Sequence, residues 1–179
     1  MLEKVFELDV KATDRLRMDN TQAGAWKVVA FLAHSGDSWF WVAGLAVVWA
    51  FSRVFRPTAA FLILAIVLLA AAVMVIKLFV RRRRPEGKWG AIYRNADPHS
   101  FPSGHAARAA MLALFALELG SFGLGVFMVL WALSVGLSRV MTGMHYLSDI
   151  IAGILLGLGG GGLILLARPW MESLLPFLF

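Results

Sequence analysis

The sequence predicts an all-α integral membrane bundle of five transmembrane helices preceded by amphipathic interfacial helices, and three observations carry that reading. Of 179 residues, 60% are hydrophobic and the mean hydropathy is +0.75, whereas a soluble globule is nearer half apolar. The apolar residues gather into long runs, and the longest, Ala59 to Val80, suffices by itself to cross a bilayer. The charges collect between these runs and near the N-terminus, where water or headgroups can solvate them. Since each crossing uses about 20 apolar residues, one bundle consumes nearly the whole chain, and residues 1–179 read as a single domain.

The N-terminal stretch, Met1 to Asp19, alternates charges with Leu2, Val5, Phe6, Leu8, Val10 and Leu16, the pattern of a helix lying among headgroups. It holds no signal-peptide core, so insertion is expected to use uncleaved spans. Ala25 to Ala33 is apolar but short and carries Lys27, and His34-Ser35-Gly36-Asp37-Ser38 breaks it with turn and cap chemistry. It reads as a second interfacial or tucked helix, with a sixth crossing as the alternative. Residues 1–38 thus form the interfacial part. Trp39 to Phe51 is the first crossing, with Trp39, Trp41 and Trp49 suited to the membrane boundary. Arg53, Arg56 and Pro57 mark a tight connection to Ala59 to Val80. The stretch Arg81 to Phe101 carries prolines, charges and the Asn95-Ala96-Asp97-Pro98 turn signal, so it forms a substrate-facing loop outside the hydrocarbon. Helices follow over about 102–119, 122–137 and 145–167. The core is therefore 39–167, and 168–179, with Pro169, Trp170 and Pro176, forms an interfacial tail. Gly153, Gly157 and Gly161 recur every four residues, a spacing that favours close helix packing.

A net charge of +6 and a pI near 10.3 would raise nucleic acid as the partner of a soluble protein. Here the cations flank apolar segments, which points to anionic lipid headgroups and away from nucleic acid. The absence of cysteine excludes disulfides, thiolate metal sites and cysteine nucleophiles. Acidic residues are few and form no cluster, so neither metal nor other cofactor is expected. Oligomeric state is left open.

Three short segments carry the chemistry. Lys77 is followed after six residues by Arg84-Pro85; the second segment is Pro102-Ser103-Gly104-His105; in the third, Ser138-Arg139 precedes His145 by five residues, and Asp149 follows after three more. Moving a phosphoryl group requires fixed cations and donors around its charged oxygens. Lys77, Arg84 and Arg139 can supply the charge, the arginines through a planar fork and the lysine as a point charge. Lys77 ends an apolar helix, where the bland alternative is snorkelling to the interface. Arg81, Arg82 and Arg83 read as headgroup contacts, since basic clusters beside a span usually serve that purpose. Pro102 can start a helix whose exposed N–H groups form an anion cradle, and Gly104 lets backbone approach the anion closely. Ser103 either donates to the phosphate or caps the helix. His145 and Asp149, four apart, lie on one helical face, so the carboxylate can hold one ring nitrogen protonated and leave the other as a nucleophile. Asp149 has a second reading as a dipole-stabilising acid at a helix start. Ser138 either positions Arg139 or caps. His34 and His99 match no motif.

In residue type, spacing and order these segments, which cover about residues 77 to 149, resemble the signature of the type 2 phosphatidic acid phosphatase (PAP2) family. The resemblance implies a metal-independent lipid phosphate phosphatase. His145 would attack phosphorus to give a phosphohistidine, His105 would act as general acid to the leaving oxygen, and water would release phosphate. Implied substrates are undecaprenyl diphosphate, phosphatidylglycerol phosphate and phosphatidic acid, served by a multi-pass protein of the cell (inner) membrane. The resemblance puts the active site on the extracytoplasmic face, whereas a count of Lys and Arg favours the cytoplasm. A phosphotransferase using the same site and a non-catalytic lipid-binding protein are the alternatives. A transporter fits less well, because the ionisable residues cluster at one face instead of lining a path.

Overall fold

The computed structural model describes residues 2–18, 23–86 and 97–179. Its helices are α1 (Leu2–Leu16), α2 (Ala23–Ser35), α3 (Ser38–Phe51), α4 (Arg56–Val80), α5 (Gly104–Leu119), α6 (Phe122–Met141) and α7 (Leu147–Leu174). Among the described residues, the only strand-like pairing is one antiparallel bridge between Arg83 and His99. Residues 87–96 of the loop, including Asn95 and Ala96 of its predicted turn, lie outside the described residues.

The helices α4, α6 and α7 are long and apolar enough to cross a membrane. Helix α3, with 14 residues, and α5, with 16, fall short of that length, extending about 21 and 24 Å at 1.5 Å per residue. Length and composition therefore carry three of the five predicted crossings. The alternative sixth falls in α2, which has only 13 residues.

Two predicted C-terminal helix boundaries move. Helix α6 continues past Leu137 to Met141, which puts Arg139 in its last turn. Helix α7 continues through Pro169 to Leu174, where the sequence predicts a stub. Proline there forfeits one backbone hydrogen bond, but the Arg168 Nε donates to Glu172 Oε1 at 2.8 Å across the following turn and supports it. The chain end docks on α3, where Trp49 Nε1 donates to the Leu178 carbonyl at 2.8 Å.

Helix α5 sits at the centre. Its buried Ala107, Met111, Leu112 and Phe115 pack with Phe61, Ile66, Leu69 and Val73 of α4 and with Met128, Ala132 and Val135 of α6. Large side chains such as Phe79, Phe122, Leu155 and Leu166 point outward, as befits a surface bathed in hydrocarbon, where packing and not water exclusion holds helices together. Against α5 runs the predicted glycine seam of α7. A Cβ on Gly157 would lie 2.0 Å from the Ala107 carbonyl oxygen, and one on Gly153 would lie 2.6 Å from that of Ser103. The seam brings backbone onto backbone, and at its end Ser103 N–H donates to the Asp149 carbonyl at 3.0 Å. Two of the three chemical segments are thereby tied together.

Gly157→Ala is expected to destabilise the protein by about 1–3 kcal/mol, because the neighbour it meets is backbone that cannot rotate away. Gly162→Ala, whose Cβ meets nothing within 4 Å, is expected to match wild type or exceed it by up to about 1 kcal/mol through helix propensity. Thermal unfolding of both variants in detergent checks the pair.

Candidate active site

Helix α4 ends at Arg81, whose left-handed conformation (φ 50°) turns the chain back over the helix terminus while its N–H donates to the Lys77 carbonyl at 3.0 Å. That reversal buries Arg84 beside Lys77. The Lys77 ammonium bonds the Asp97 carboxylate and donates to the His99 carbonyl at 3.0 Å. Arg84 donates through Nη2 to the same carboxylate oxygen of Asp97 at 2.8 Å, through Nε to the Asp97 carbonyl at 2.7 Å, and through Nη1 to the Met144 carbonyl at 2.9 Å. The Arg84 Nη1 also lies 3.1 Å from His145 Nε2. Arg139, fully buried, reaches the Ala33 carbonyl at 3.3 Å. Burial pushes Asp97 toward protonation, but the hydrogen bond and charge of Lys77, with the charge of Arg84, outweigh it and hold the carboxyl below its ordinary range. Asp97 is therefore an anion seated on two of the three predicted phosphate-binding cations.

The second segment begins α5 as predicted. Ser103 is the N-cap, its Oγ accepting from Ala106 N–H at 3.4 Å, which realises the capping alternative while leaving the hydroxyl proton free to donate elsewhere. A cis Phe101–Pro102 peptide precedes it. Gly104 and His105 line the cavity described below.

In the third segment, the helix begins at Leu147, two residues later than predicted, so His145 lies in the preceding turn. That turn is pinned to α6: Met144 N–H and His145 N–H both donate to the Arg139 carbonyl, at 3.1 and 3.3 Å, and Gly143 supplies the φ of +70° that the reversal needs. The predicted His145–Asp149 juxtaposition is present nonetheless. His145 Nδ1 faces Asp149 Oδ2 at 3.4 Å, beyond ordinary hydrogen-bond length, and Nε2 faces Arg84. Burial, then the charges of Arg139, Arg84 and Lys77, push His145 well below its ordinary pKa, so the ring is neutral. The Asp149 carboxylate also caps its own helix by accepting from Tyr146 N–H at 2.9 Å.

All three segments meet at a cavity of about 430 Å³. Lys77, Asp97, His105 and His145 stand at its polar end, and Ile66, Leu69 and Val73 of α4 with Trp39 of α3 form apolar walls. Among the described residues, no group of three or more His, Cys, Asp or Glu is placed to hold a metal ion.

Arg82 departs from its predicted place at the headgroups. Its guanidinium lies 2.7 Å from Asp149 Oδ1 and 2.7 Å from Asp9 Oδ2, and stacks 4.0 Å over the Tyr146 ring. A carboxylate as buried as Asp149 requires a counterion, and Arg82 is the arginine in reach. Asp9 also accepts from Ser148 N–H at 3.0 Å, so α1 docks directly behind the third segment. Three further residues escape sequence reasoning. Asp97 and Asp37 both have sufficient local explanations as turn or cap residues. Arg108 carried a readable signal, since an arginine inside an apolar helix is expensive without a partner. Its guanidinium bonds the Gly36 carbonyl and the Ser38 hydroxyl.

The PAP2 superfamily model matches residues 58–172. The chain belongs to that superfamily. Lipid A 4'-phosphatase of Bacteroides thetaiotaomicron is 39% identical over 71 residues, covering 39% of this chain and 32% of that protein. Decaprenylphosphoryl-5-phosphoribose phosphatase of Mycobacterium tuberculosis is 36% identical over 97 residues, 52% of each chain. The chain thus matches between a third and a half of the length of these curated relatives. Two solved structures share the PAP2 fold. Aquifex aeolicus LpxE superposes with a TM-score of 0.69 at 24% identity, covering 88% of this chain and 94% of that one. A transmembrane PAP2-type phosphatidylglycerolphosphate phosphatase from Bacillus subtilis gives 0.70 at 23% identity, covering 96% and 87%.

Arg82→Ala leaves Asp149 buried without its counterion and is expected to destabilise the protein by about 3 kcal/mol. Arg81→Ala, at an exposed side chain that among the described residues bonds its own helix, is expected to stay within about 0.5 kcal/mol of wild type. Denaturation of the two purified variants in detergent measures the difference.

Proposed function

We propose that this PAP2 chain is a metal-independent lipid phosphate phosphatase, hydrolysing a phosphomonoester or diphosphate headgroup through a phosphohistidine. The observation that carries the reading is His145, a neutral imidazole whose Nε2 faces a buried guanidinium at 3.1 Å while Nδ1 faces a carboxylate. A lone pair held among fixed cations is what an in-line attack on an anionic phosphoryl group requires. His145 Nε2 forms the N–P bond, the P–O bond to the lipid breaks, and His105 gives its proton to the departing oxygen. Water then attacks phosphorus, returns a proton to His105 and frees inorganic phosphate as the N–P bond breaks. Lys77, Arg84 and Arg139 hold the phosphoryl oxygens, with Ser103 and the backbone at Gly104 as further donors, while Asp149 faces the Nδ1 edge of His145 from 3.4 Å and orients the ring electrostatically.

The shape of the cavity supports a lipid as substrate. A water-soluble phosphate would gain nothing from Ile66, Leu69 and Val73 beside the polar end, whereas a chain entering between α3 and α4 would bury hydrocarbon there. Undecaprenyl diphosphate, phosphatidylglycerol phosphate and phosphatidic acid all fit that description. The names of the relatives support the same class: each is a phosphatase of a lipid-linked phosphate. Residues 1–179 form one PAP2 domain in a cell membrane, with the site on the extracytoplasmic face and with the exposed Arg81 and Arg83 against anionic headgroups.

The purified protein in detergent, with chelator present, is expected to release phosphate from at least one lipid of a mono- and diphosphate panel, and His145→Ala is expected to release none and to capture no covalent phosphate. Transfer of the phosphate to a second lipid instead of water would identify a phosphotransferase. Absence of any turnover by the wild type would leave a binding protein. Because the Asp97 carboxylate occupies the cations a phosphoryl group needs, Asp97→Asn is expected to lower KM and to strengthen inhibition by inorganic phosphate, read from initial rates at varied phosphate.

A further inference from the structure

Asp37 stands where a helix N-cap belongs. Its backbone has the cap geometry (φ −66°, ψ 136°), yet its side chain makes no cap bond to α3. The carboxylate turns the other way. Oδ1 lies 2.5 Å from His105 Nε2, and Oδ2 lies 3.3 Å from His34 Nδ1. The placement is fixed from both flanks, because Arg108, three residues after His105 on α5, bonds the Gly36 carbonyl and the Ser38 hydroxyl. The turn is also packed onto the His105 ring itself: a Cβ on Gly36 would lie 3.3 Å from His105 Cδ2. A capping carboxylate that forgoes its own helix N–H groups, clamped by a buried arginine against a histidine of the cavity, has a task at that histidine.

The surroundings define the task. His105 faces Arg108 from its own helix and Arg139 from α6, with Lys77 of α4 and His145 of the α6–α7 turn across the cavity. Against these stand the carboxylates of Asp37, which His34 also touches, and Asp97, which is bound to Lys77 and Arg84. A phosphate site is of necessity cationic, and cations repel a proton on a neighbouring imidazole. A general acid must nonetheless hold its proton at the working pH.

We propose that Asp37 is the positioning residue that keeps the proton on His105, so that the acid side of the site is a second histidine–aspartate pair; this rests on the phosphatase reading above. Asp37 holds the Nε2 proton. Nδ1, which makes no hydrogen bond among the described residues, is then the nitrogen that serves the leaving oxygen. His105 gives up one proton when the P–O bond breaks and recovers one from the attacking water, and Asp37 remains a carboxylate throughout, so the proton count closes.

Leaving groups separate this role from a structural one. Wild type, Asp37→Asn, Asp37→Glu, His105→Ala and the double variant Asp37→Asn/His105→Ala are compared in detergent on phosphatidic acid, whose alkoxide leaves only with a proton, and on p-nitrophenyl phosphate, whose phenolate leaves without one. Asp37→Asn is expected to lower kcat on phosphatidic acid by about 10²-fold or more and by less than tenfold on p-nitrophenyl phosphate. The alkaline limb of its pH profile moves to lower pH on the lipid substrate. In the His105→Ala background the same change adds no further loss, because the group it serves is gone. Asp37→Glu keeps the charge and is expected to keep the wild-type alkaline limb; it decides the matter should Asp37→Asn not stay monodisperse. Equal losses on both substrates, additive losses with His105→Ala, or a limb displaced in Asp37→Glu would overturn the role of Asp37 while leaving the phosphatase standing. A wild type that hydrolyses neither substrate, or a His145→Ala variant as active as wild type, would overturn the phosphatase reading and this role with it.

Discussion

Four cationic side chains, Lys77, Arg84, Arg108 and Arg139, are buried at one end of an apolar bundle, and the rest of the structure depends on how that charge is borne. In a medium of low dielectric an uncompensated ion is expelled or neutralised. None of the four is left to that fate. Asp97 bridges Lys77 and Arg84, backbone carbonyls of the α2–α3 turn and of α2 receive Arg108 and Arg139, and the Met144 carbonyl receives Arg84. These partners come from different parts of the chain, so the same bonds that solvate the cations also draw α2, the polar loop and the α6–α7 turn around the cavity. The polar end of the protein is assembled by its own charge balance.

Such an assembly needs a rigid floor, and the glycine seam supplies it. Because α7 lies on α5 at backbone contact along Gly153 and Gly157, with Gly161 against the Met111 and Leu114 side chains, the first turns of both helices are held in register, and the Ser103–Asp149 backbone bond closes the end of the seam. The Ser103-capped start of α5 and the carboxylate at the start of α7 cannot drift apart without breaking the packing below them. Small residues here serve precision at the site as much as stability of the bundle.

Much of this arrangement was legible in the sequence. Lys77, Arg84, His105, Arg139, His145 and Asp149 are chemically improbable in an oily chain, and their spacing separated Arg84 from the arginines before it. What escaped is the set of carboxylates and counterions that complete the charge balance. Asp37 and Asp97 lie 68 and 20 positions from the side chains they bind, and each has an adequate local explanation as a cap or turn residue, so nothing near it in sequence reveals a distant partner. Arg82 is indistinguishable from its neighbours until the reversal at Arg81 aims it at Asp149. Helix α6 runs past its predicted end and places Arg139 in its last turn, where the buried guanidinium reaches the Ala33 carbonyl of α2, a partner that periodicity does not reveal.

The two histidine–aspartate pairs are unequal, and the inequality follows from what else each carboxylate touches. Asp149 is held by the Arg82 guanidinium at 2.7 Å and by the Tyr146 N–H at 2.9 Å, and it stands 3.4 Å from His145. Much of its negative charge is already spoken for, so it can orient His145 without attracting a second proton to the ring. Asp37 has no guanidinium on its carboxylate among the described residues, and it meets His105 at 2.5 Å. Its burial favours protonation, but the hydrogen bonds and charges of His105 and His34 outweigh this and hold the carboxyl below its ordinary range. One carboxylate is thus shared with an arginine, while the other, among the described residues, is shared with histidines alone. In the proposed phosphoryl transfer one ring acts as nucleophile and the other as acid, and the two carboxylates differ in whether an arginine already holds them. Arg82, bonded to Asp149 and absent from Asp37, is the residue that makes the pairs differ.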